Sequence, residues 1–399
     1  MPFLPRSVYD YRRRRMDALM DAERLDALAF VSDEFVQFAT NFHVDVRTWE
    51  RPILVVVPRN GAPFGVMHEL STNHLRFHRD RGALWLDEVQ LYSEHPRVGS
   101  RLPLLPQWPA LAADLLHAHG LSRGRVGVEN AGGLLARVSA VLPELRLVNA
   151  LAGMRALRWV KCPEELQLHR TAASLTDFGQ ACYREHIRPG RLVQELDYAV
   201  SGMIAEEAAR RLPDEHLEPR CMTLTGPDAA SPHGNGATTG SRFQEGHVVV
   251  VICNVRLNGM LTENERTYFV GRPSDQQREL YETARAANEA ARDAAVVGNP
   301  VFAIDAAAQA VIERRGHGDY VLHRTGHGMG TQGHEYPEDM AFNSRPLQAG
   351  EVYSIEPGLY VWGLGGFRLD DTVVVGTPPE VLTAAPRDID SAALGAAPV

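Results

Sequence analysis

Helix and strand patterns alternate through the first part of the chain. Residues 8–26 carry apolar side chains at the spacing of an amphipathic helix. Strand patterns follow in residues 27–33, 52–69, 125–130 and 145–151. The third pattern, 52–69, contains Asn60-Gly61, a dipeptide typical of hairpin turns. This alternation predicts an α/β domain over residues 1–155.

Longer helices and strands follow in the second part of the chain. Helices are predicted in residues 163–186, 192–212 and 274–295. Pro163 suits the first position of one helix, and Ser274 with Gln277 forms a capping box on another. Long strands are predicted in residues 247–255, 265–271, 351–361 and 367–376. Helices grouped beside a largely antiparallel sheet predict an α+β domain over residues 156–399.

Two strand patterns joined by Asn258-Gly259 predict a β-hairpin that carries two glutamates. If those two residues form the turn, Asn254 faces Glu263 and Ile252 faces Glu265 on one side of the sheet. A solvated face is the plain alternative. The preceding run, VVVVIC, is too apolar on both faces for an exposed edge strand, which favours the wall of a pocket.

The composition of the chain restricts the classes of binding partner that we expect. The chain has 399 residues and a formal net charge of −9, so it lacks the basic excess that neutralises nucleic-acid phosphates. The four cysteines are scattered without metal-binding spacing, which is typical of a reduced cytoplasmic protein. The N-terminal residues do not resemble a signal peptide, and no apolar run approaches the roughly 20 residues that span a bilayer. We therefore expect a cytoplasmic protein without a membrane or nucleic-acid partner.

Further polar side chains recur in glycine-rich or strand-like segments. His233 lies in SPHGNGATTG, and His327 and His334 lie in HRTGHGMGTQGHEYPED. Glu356 and Asp370 are each predicted to lie within a strand. Each residue alone has an ordinary explanation as a solvated or satisfied polar group. Glycines around His327, however, remove side chains that would block a close approach to it.

Together these segments resemble the creatinase and aminopeptidase P superfamily. The resemblance lies in the order and spacing of the 160–170 linker, the His233 loop, the acidic hairpin, GHGMGTQGHE, SIEPGLY and GFRLDDTVVV. The resemblance covers essentially the whole chain. It implies an α+β fold class: an N-terminal creatinase-like α/β domain followed by a C-terminal pita-bread domain.

The peptidases of this superfamily hold two divalent metals with two Asp, one His and two Glu. At the matching positions this chain has, in order, Ile252, Glu263, His327, Glu356 and Asp370. Ile252 offers no lone pair, so a two-metal centre is not expected. No cofactor is favoured, and at most one divalent metal (Mn, Zn, Fe or Co) could be held by the other four residues.

The creatinase branch, which works without metal, keeps a glutamate at the position of Glu265, where peptidases usually have threonine. It also keeps histidines at the positions of His233 and His327 and a glutamate at Glu356. The resemblance thus implies that His233 is the general acid/base and that Glu265 and Glu356 hold a substrate cation. Creatine itself is not implied, because Glu338 stands where creatinase has an arginine for the substrate carboxylate, and Asp370 stands where it has a histidine.

The resemblance also concerns the loop NFHVDVRTWERP. Trp49 and Arg51 match a Phe and an Arg of creatinase that reach into the neighbouring subunit's pocket. We therefore expect a homodimer in which this loop completes the partner's site. His334, Glu263 and Asp370, with Trp49 and Arg51, are the remaining predicted substrate-binding residues.

Electrostatics support the same prediction from the residues themselves. Glu263, Glu265, Glu356 and Asp370 around one pocket cannot all stay ionised unless a cation neutralises them. With a metal disfavoured, the substrate is the natural cation. The expected function is a creatinase-like hydrolase of a non-peptide carbon–nitrogen bond in a small guanidine, amidine or amine. A one-metal Xaa-Pro peptidase and a non-catalytic peptide-binding protein are the alternatives.

Overall fold

The computed structural model describes residues 4–44, 46–93, 104–234, 237–336 and 339–395. It divides into two compact units, residues 1–158 and residues 159–399. The helices of the first unit are α1 Arg6–Glu23, α2 Asp33–Thr40, α3 Thr72–Asp80, α4 Leu104–Ala118, α5 Gly133–Val141 and α6 Leu151–Ala156. Those of the second are α7 Pro163–His186, α8 Val193–Arg211, α9 Asp275–Asp293, α10 Phe302–Arg314 and α11 Ile389–Ala392. Short 3-10 helices cover Glu69–Ser71, Gly226–Ala230, Gly318–Tyr320 and Met340–Phe342.

Sixteen strands complete the described part of the chain. The first unit contains β1 Ala27–Phe30, β2 Leu54–Pro58, β3 Phe64–His68, β4 Glu88–Tyr92, β5 Arg125–Val128 and β6 Arg146–Asn149. The second contains β7 Leu217–Thr225, β8 Val248–Leu257, β9 Met260–Val270, β10 Gly326–Gly328, β11 Val352–Ile355, β12 Gly358–Val361, β13 Gly365–Arg368, β14 Asp371–Val374, β15 Glu380–Val381 and β16 Ala393–Leu394. None of the helices in these described ranges combines the length and apolarity needed to cross a lipid bilayer.

The first unit is a six-stranded mixed sheet in the order β4-β3-β2-β1-β5-β6. Its central strands β1 and β2 are apolar throughout because both of their faces are covered, whereas the edge strands β4 and β6 carry polar, partly exposed residues. Leu28 and Phe30 of β1 pack into one core, and Ala27 and Ala29 pack into the other, where Trp108 is fully buried. The predicted α/β architecture is confirmed for this unit.

The second unit is built on the sheet β16-β9-β8-β7, beside a second sheet β10-β11-β14-β15 and the β12-β13 ribbon. Helix α7 begins as predicted at Pro163, and the side chain of Glu165 accepts the N–H of Cys162 at 2.8 Å. The capping box of Ser274 and Gln277 is present on α9. Helices covering a largely antiparallel sheet confirm the α+β class.

The acidic hairpin has the predicted register. Asn258 and Gly259 form its turn with φ of 47° and 85°, the left-handed values that a two-residue hairpin requires. Asn254 therefore pairs with Glu263, and Ile252 pairs with Glu265.

Two predicted strands are interrupted at the site residues. The 351–361 pattern stops at Glu356, between β11 and β12, because Pro357 has no N–H for a ladder. The 367–376 pattern stops at Asp370, between β13 and β14, where the backbone instead forms an isolated bridge with Glu265. The prediction that Glu356 and Asp370 lie within strands is therefore wrong. Both carboxylates lie where one small sheet gives way to another.

Asp371, the first residue of β14, is the buried centre of a positive cluster. It is fully buried and lies 2.8 Å from Arg266, 2.7 Å from Arg387 and 3.3 Å from Arg292. Burial alone would raise the pKa of Asp371, but these guanidinium groups hold it at about 2. The cluster joins β9, β14, α9 and the C-terminal segment.

We predict that Asp371→Asn lowers the free energy of unfolding by about 3–5 kcal/mol, because buried guanidinium charge loses its compensation. Urea unfolding followed by circular dichroism measures the change. The exposed Asp390 on α11 provides a matched control, since Asp390→Asn should change stability by no more than about 0.5 kcal/mol. Equal effects of the two substitutions would contradict the prediction.

Candidate active site

A polar cavity of about 460 Å³ opens on the acidic hairpin in the second unit. Two cross-strand rows form its floor: Arg220, Asn254 and Glu263 in one row, and Met222, Ile252 and Glu265 in the other. The remaining lining residues come from loops and the smaller sheets: His233, Leu261, His327, Gly333, His334, Glu356 and Arg368. The volume is that of a small-molecule site.

Most of the predicted site residues meet here. Glu263, Glu265, Glu356, His233, His327 and His334 all line the cavity. Asp370 is fully buried and lies against them through its bridge to Glu265. Trp49 and Arg51 belong to the first unit, where Trp49 is 79% exposed beside a separate cavity of about 430 Å³ and Arg51 pairs with Glu50 at 2.7 Å. Glu338 lies outside the described residues.

Arg368 is the functional residue that sequence reasoning missed. Its guanidinium is only 2% exposed and binds both oxygens of Glu265, one of them through an Nη2–H donated to Oε1 at 3.0 Å. It also lies 3.7 Å from Glu356 and donates to the hydroxyl of Tyr360 at 3.2 Å and to the carbonyl of Pro232 at 2.9 Å. One buried cation thus connects two site carboxylates with the loop that carries His233.

The charge of Arg368 overturns the electrostatic prediction. Burial alone would lower its pKa, but Glu265 raises it above the ordinary arginine value. Burial alone would likewise raise the pKa of Glu356, yet His327 and Arg368 lower it to about 2. The prediction that a substrate cation must neutralise these glutamates is wrong for Glu356, whereas burial raises the pKa of Glu265 to about 8 even beside Arg368. A signal was present in the sequence, because Arg368 stands only two positions before the predicted site residue Asp370.

His327 lies between two carboxylates. Its Nε2 is 3.4 Å from Glu263 and 3.4 Å from Glu356, and its ring stacks on His334 at 3.7 Å. Burial by itself lowers the pKa of His327, but the two glutamates raise it well above the ordinary value. The neighbouring Gly326 is required sterically, since a Cβ there would lie 1.9 Å from the carbonyl oxygen of Ser354.

The oxygen and nitrogen atoms of these side chains are suitable ligands for one divalent cation. Asp370 accepts a hydrogen bond from Ser354 at 2.8 Å through Oδ1, while its buried Oδ2 has no hydrogen-bond partner among the residues that the structure describes. Burial and the nearby Glu265, Glu263 and Glu356 raise the pKa of Asp370 well above the ordinary value. Such an orphaned carboxylate oxygen, beside His327 and two glutamates, fits a proton or one cation.

A second cation has no place among the described residues. Ile252 presents an apolar side chain to the cavity, and Arg368 already occupies both oxygens of Glu265. As they stand, no three His, Cys, Asp or Glu side chains of the described ranges are grouped to hold a metal. The described residues therefore offer donors for one divalent cation at most: Glu263, His327, Glu356 and Asp370.

Comparison with known proteins identifies relatives across the whole chain. A model described as metallopeptidase family M24 matches residues 167–377, and one described as the creatinase/prolidase N-terminal domain matches residues 12–160. A Bacillus subtilis protein provisionally named dipeptidase YkvY is 29% identical over 370 residues, which cover 90% of this chain and 94% of that protein.

Two further proteins carry the same kind of name. The Xaa-Pro dipeptidase of Lactobacillus helveticus is 33% identical over 219 residues, which cover 55% of this chain and 58% of that protein. The crystal structure of dipeptidase PepE from Mycobacterium ulcerans has a TM-score of 0.81 and 27% identity, and the match covers 100% of both chains. The resemblance to the creatinase and aminopeptidase P superfamily is confirmed, and so is the pita-bread fold.

The prediction of a creatinase-like hydrolase acting on a non-peptide bond is wrong. The relatives are named for dipeptidase activity, which makes a peptidase the better interpretation. The broader class of hydrolase acting on a carbon–nitrogen bond stands, because a peptide bond is also a carbon–nitrogen bond. The physical argument for a cationic substrate also omitted the internal charge of Arg368, which pairs with Glu265.

We predict that Arg368→Met lowers the free energy of unfolding by about 3–5 kcal/mol, because it leaves Glu265 buried and unpaired. The double variant Arg368→Met/Glu265→Gln should have a free energy of unfolding about 2–3 kcal/mol higher than the sum of the two single effects predicts. Urea unfolding of both single variants and the double variant gives this coupling energy.

The exposed pair of Arg170 and Glu380, also bidentate at 2.7 Å, offers a matched double-mutant cycle. Its coupling should be below about 1 kcal/mol because solvent screens the charges. Additive effects of the Arg368 and Glu265 substitutions would show that the ion pair does not organise the site.

Proposed function

The chain belongs to metallopeptidase family M24, and we propose that it hydrolyses the peptide bond of a dipeptide, including Xaa-Pro dipeptides. The observation that carries the proposal is the match of the family model to residues 167–377, which contain every described residue that lines the polar cavity. Relatives named as dipeptidases support the same substrate class. A cavity of about 460 Å³ also suits a ligand of dipeptide size.

In this proposal, Glu263, His327, Glu356 and Asp370 hold at most one divalent cation. When bound, such a cation polarises a carbonyl group and makes water more acidic. Asn254 fixes Glu263 by donating an amide hydrogen bond at 3.1 Å, which keeps one glutamate oxygen turned away from His327. Arg368 and His327 keep Glu356 ionised without using the substrate, whereas burial raises the pKa of Glu265 to about 8 although Arg368 opposes that shift.

His233 is proposed to move the proton that the leaving amine requires. Its imidazole is exposed to the cavity and makes no hydrogen bond within the described part of the chain, so both ring nitrogens are accessible to substrate. Its loop is anchored one residue earlier by the bond from Arg368 to the Pro232 carbonyl. An anchored loop with an unengaged imidazole suits general acid/base catalysis.

We further propose a cytoplasmic homodimer with the Trp49 and Arg51 loop at the subunit contact. The exposure of Trp49 supports a contact surface, since large aromatic side chains are enriched at interfaces. All four cysteines are free thiols, which agrees with a reducing compartment.

The test of the function is hydrolysis of alanyl-proline, followed by chromatographic detection of free proline, with metal content measured on the same samples. After supplementation with Mn, Co, Zn or Fe, we expect no more than one equivalent per chain. Glu263→Gln should lower activity and metal content together, whereas Glu313→Gln, on the exposed face of α10, should change neither. Two tightly held ions per chain would contradict the one-cation site, and absence of hydrolysis under every metal would contradict the peptidase.

We predict that His233→Gln lowers kcat for alanyl-proline by about 10²- to 10⁴-fold, the usual contribution of a general acid/base. KM should change little, because the substitution keeps a polar side chain at the same place. Steady-state kinetics measures both constants. His117→Gln, at an exposed site in the first unit, is the matched control, and an unchanged kcat in His233→Gln would exclude the assigned role.

A further inference from the structure

Arg220 stands at one end of the cavity floor. It lies on β7, paired with Asn254 on β8, which is in turn paired with Glu263 on β9. Since strand residues alternate, Arg220 shares its face with Met222, and both line the cavity. The same row of the sheet therefore begins with a cation and ends with a carboxylate that faces His327.

The guanidinium of Arg220 is the one lining cation that the described residues leave unengaged. It forms no hydrogen bond or ion pair with them, whereas Arg368 has four partners. The nearby acids are already engaged: Glu263 by Asn254 and His327, and Glu218 by Arg256 at 3.7 Å. An exposed arginine is ordinarily just solvated, but this one projects into a concave site where its acidic neighbours have other partners.

His334 contributes a second donor to the same cavity. Its Nδ1 lies 3.3 Å from Nη2 of Arg324, and an arginine can only donate. Nδ1 is therefore the acceptor, so the neutral ring carries its hydrogen on Nε2. Stacking of this ring on His327 fixes its plane within the cavity.

We infer that Arg220 binds a carboxylate of the substrate, and that for a dipeptide this is the free C-terminal carboxylate. The inference rests on the proposed function for the identity of the ligand. The planar guanidinium fork matches a carboxylate bidentately, and His334 is available to a neighbouring oxygen of the same molecule. Arg220 is thus a specificity-determining residue: it selects peptides that end at this carboxylate over longer or amidated ones.

The experiment compares Arg220→Gln, Arg220→Lys and the wild-type chain on alanyl-proline and alanyl-prolinamide. Binding of L-proline and L-prolinamide, which contain no bond to hydrolyse, is measured by calorimetry. Arg220→Gln should raise KM for alanyl-proline and Kd for L-proline by about 10- to 100-fold, the loss of a charge-assisted hydrogen-bonded pair. Values for the two amides and kcat for alanyl-proline should stay unchanged.

The matched control is Arg272→Gln, an exposed arginine outside the cavity, which should leave every constant unchanged. Arg220→Lys keeps the charge without the fork and should recover part of the affinity. Because Arg220 is exposed and unengaged, the thermal unfolding midpoint of each variant should match that of the wild type, which excludes misfolding as a cause.

The outcomes separate this inference from the proposed function. If the wild type fails to hydrolyse alanyl-proline but binds L-proline more tightly than L-prolinamide, and Arg220→Gln abolishes the difference, the function fails and the carboxylate site stands. If Arg220→Gln leaves the preference for the carboxylate intact, or if no preference exists in the wild type, the inference is overturned even for an active peptidase.

Discussion

The buried guanidinium of Arg368 is the constraint on which the site depends. At 2% exposure, a charge is stable only with partners, and Arg368 finds them in Glu265, Glu356, Tyr360 and the Pro232 carbonyl. These partners come from β9, from the break after β11, from β12 and from the His233 loop. Arg368 therefore lowers the pKa of both glutamates against the effect of burial, and it anchors the loop that carries the proposed acid/base.

What could be predicted from the sequence was local. The register of the acidic hairpin follows from Asn258-Gly259, because only a turn with two left-handed residues at that point keeps both strands paired. The starts of α7 and α9 follow from Pro163 and Ser274, whose effects reach no further than the first helical turn. The pocket floor, with Glu263 and Glu265 on one face, is a consequence of the same hairpin.

What could not be predicted was long-range. Arg368 and Glu265 are 103 positions apart, and their contact requires the chain between β9 and β13 to return at one particular register. The strand breaks at Glu356 and Asp370 are also long-range effects. The local pattern of apolar and polar residues predicts one continuous strand in each case, but the strands on either side of the break belong to different sheets. The sequence-based prediction of a cationic substrate counted the acidic side chains of the pocket and omitted Arg368. That arginine lies on β13, whose contact with the acidic hairpin is not evident from the sequence.

The register of the hairpin gives a physical explanation for isoleucine, in place of aspartate, at position 252. The resemblance places an aspartate at this position in two-metal peptidases and a threonine at the position of Glu265. Here Ile252 and Glu265 are direct cross-strand partners, so the carboxylate is retained but carried by the opposite strand. From that strand it binds Arg368 with both oxygens instead of remaining open to a metal. Glu265 is thus paired with a protein cation, while Asp370, whose Oδ2 has no hydrogen-bond partner among the described residues, remains the oxygen donor that a single ion or proton can still satisfy.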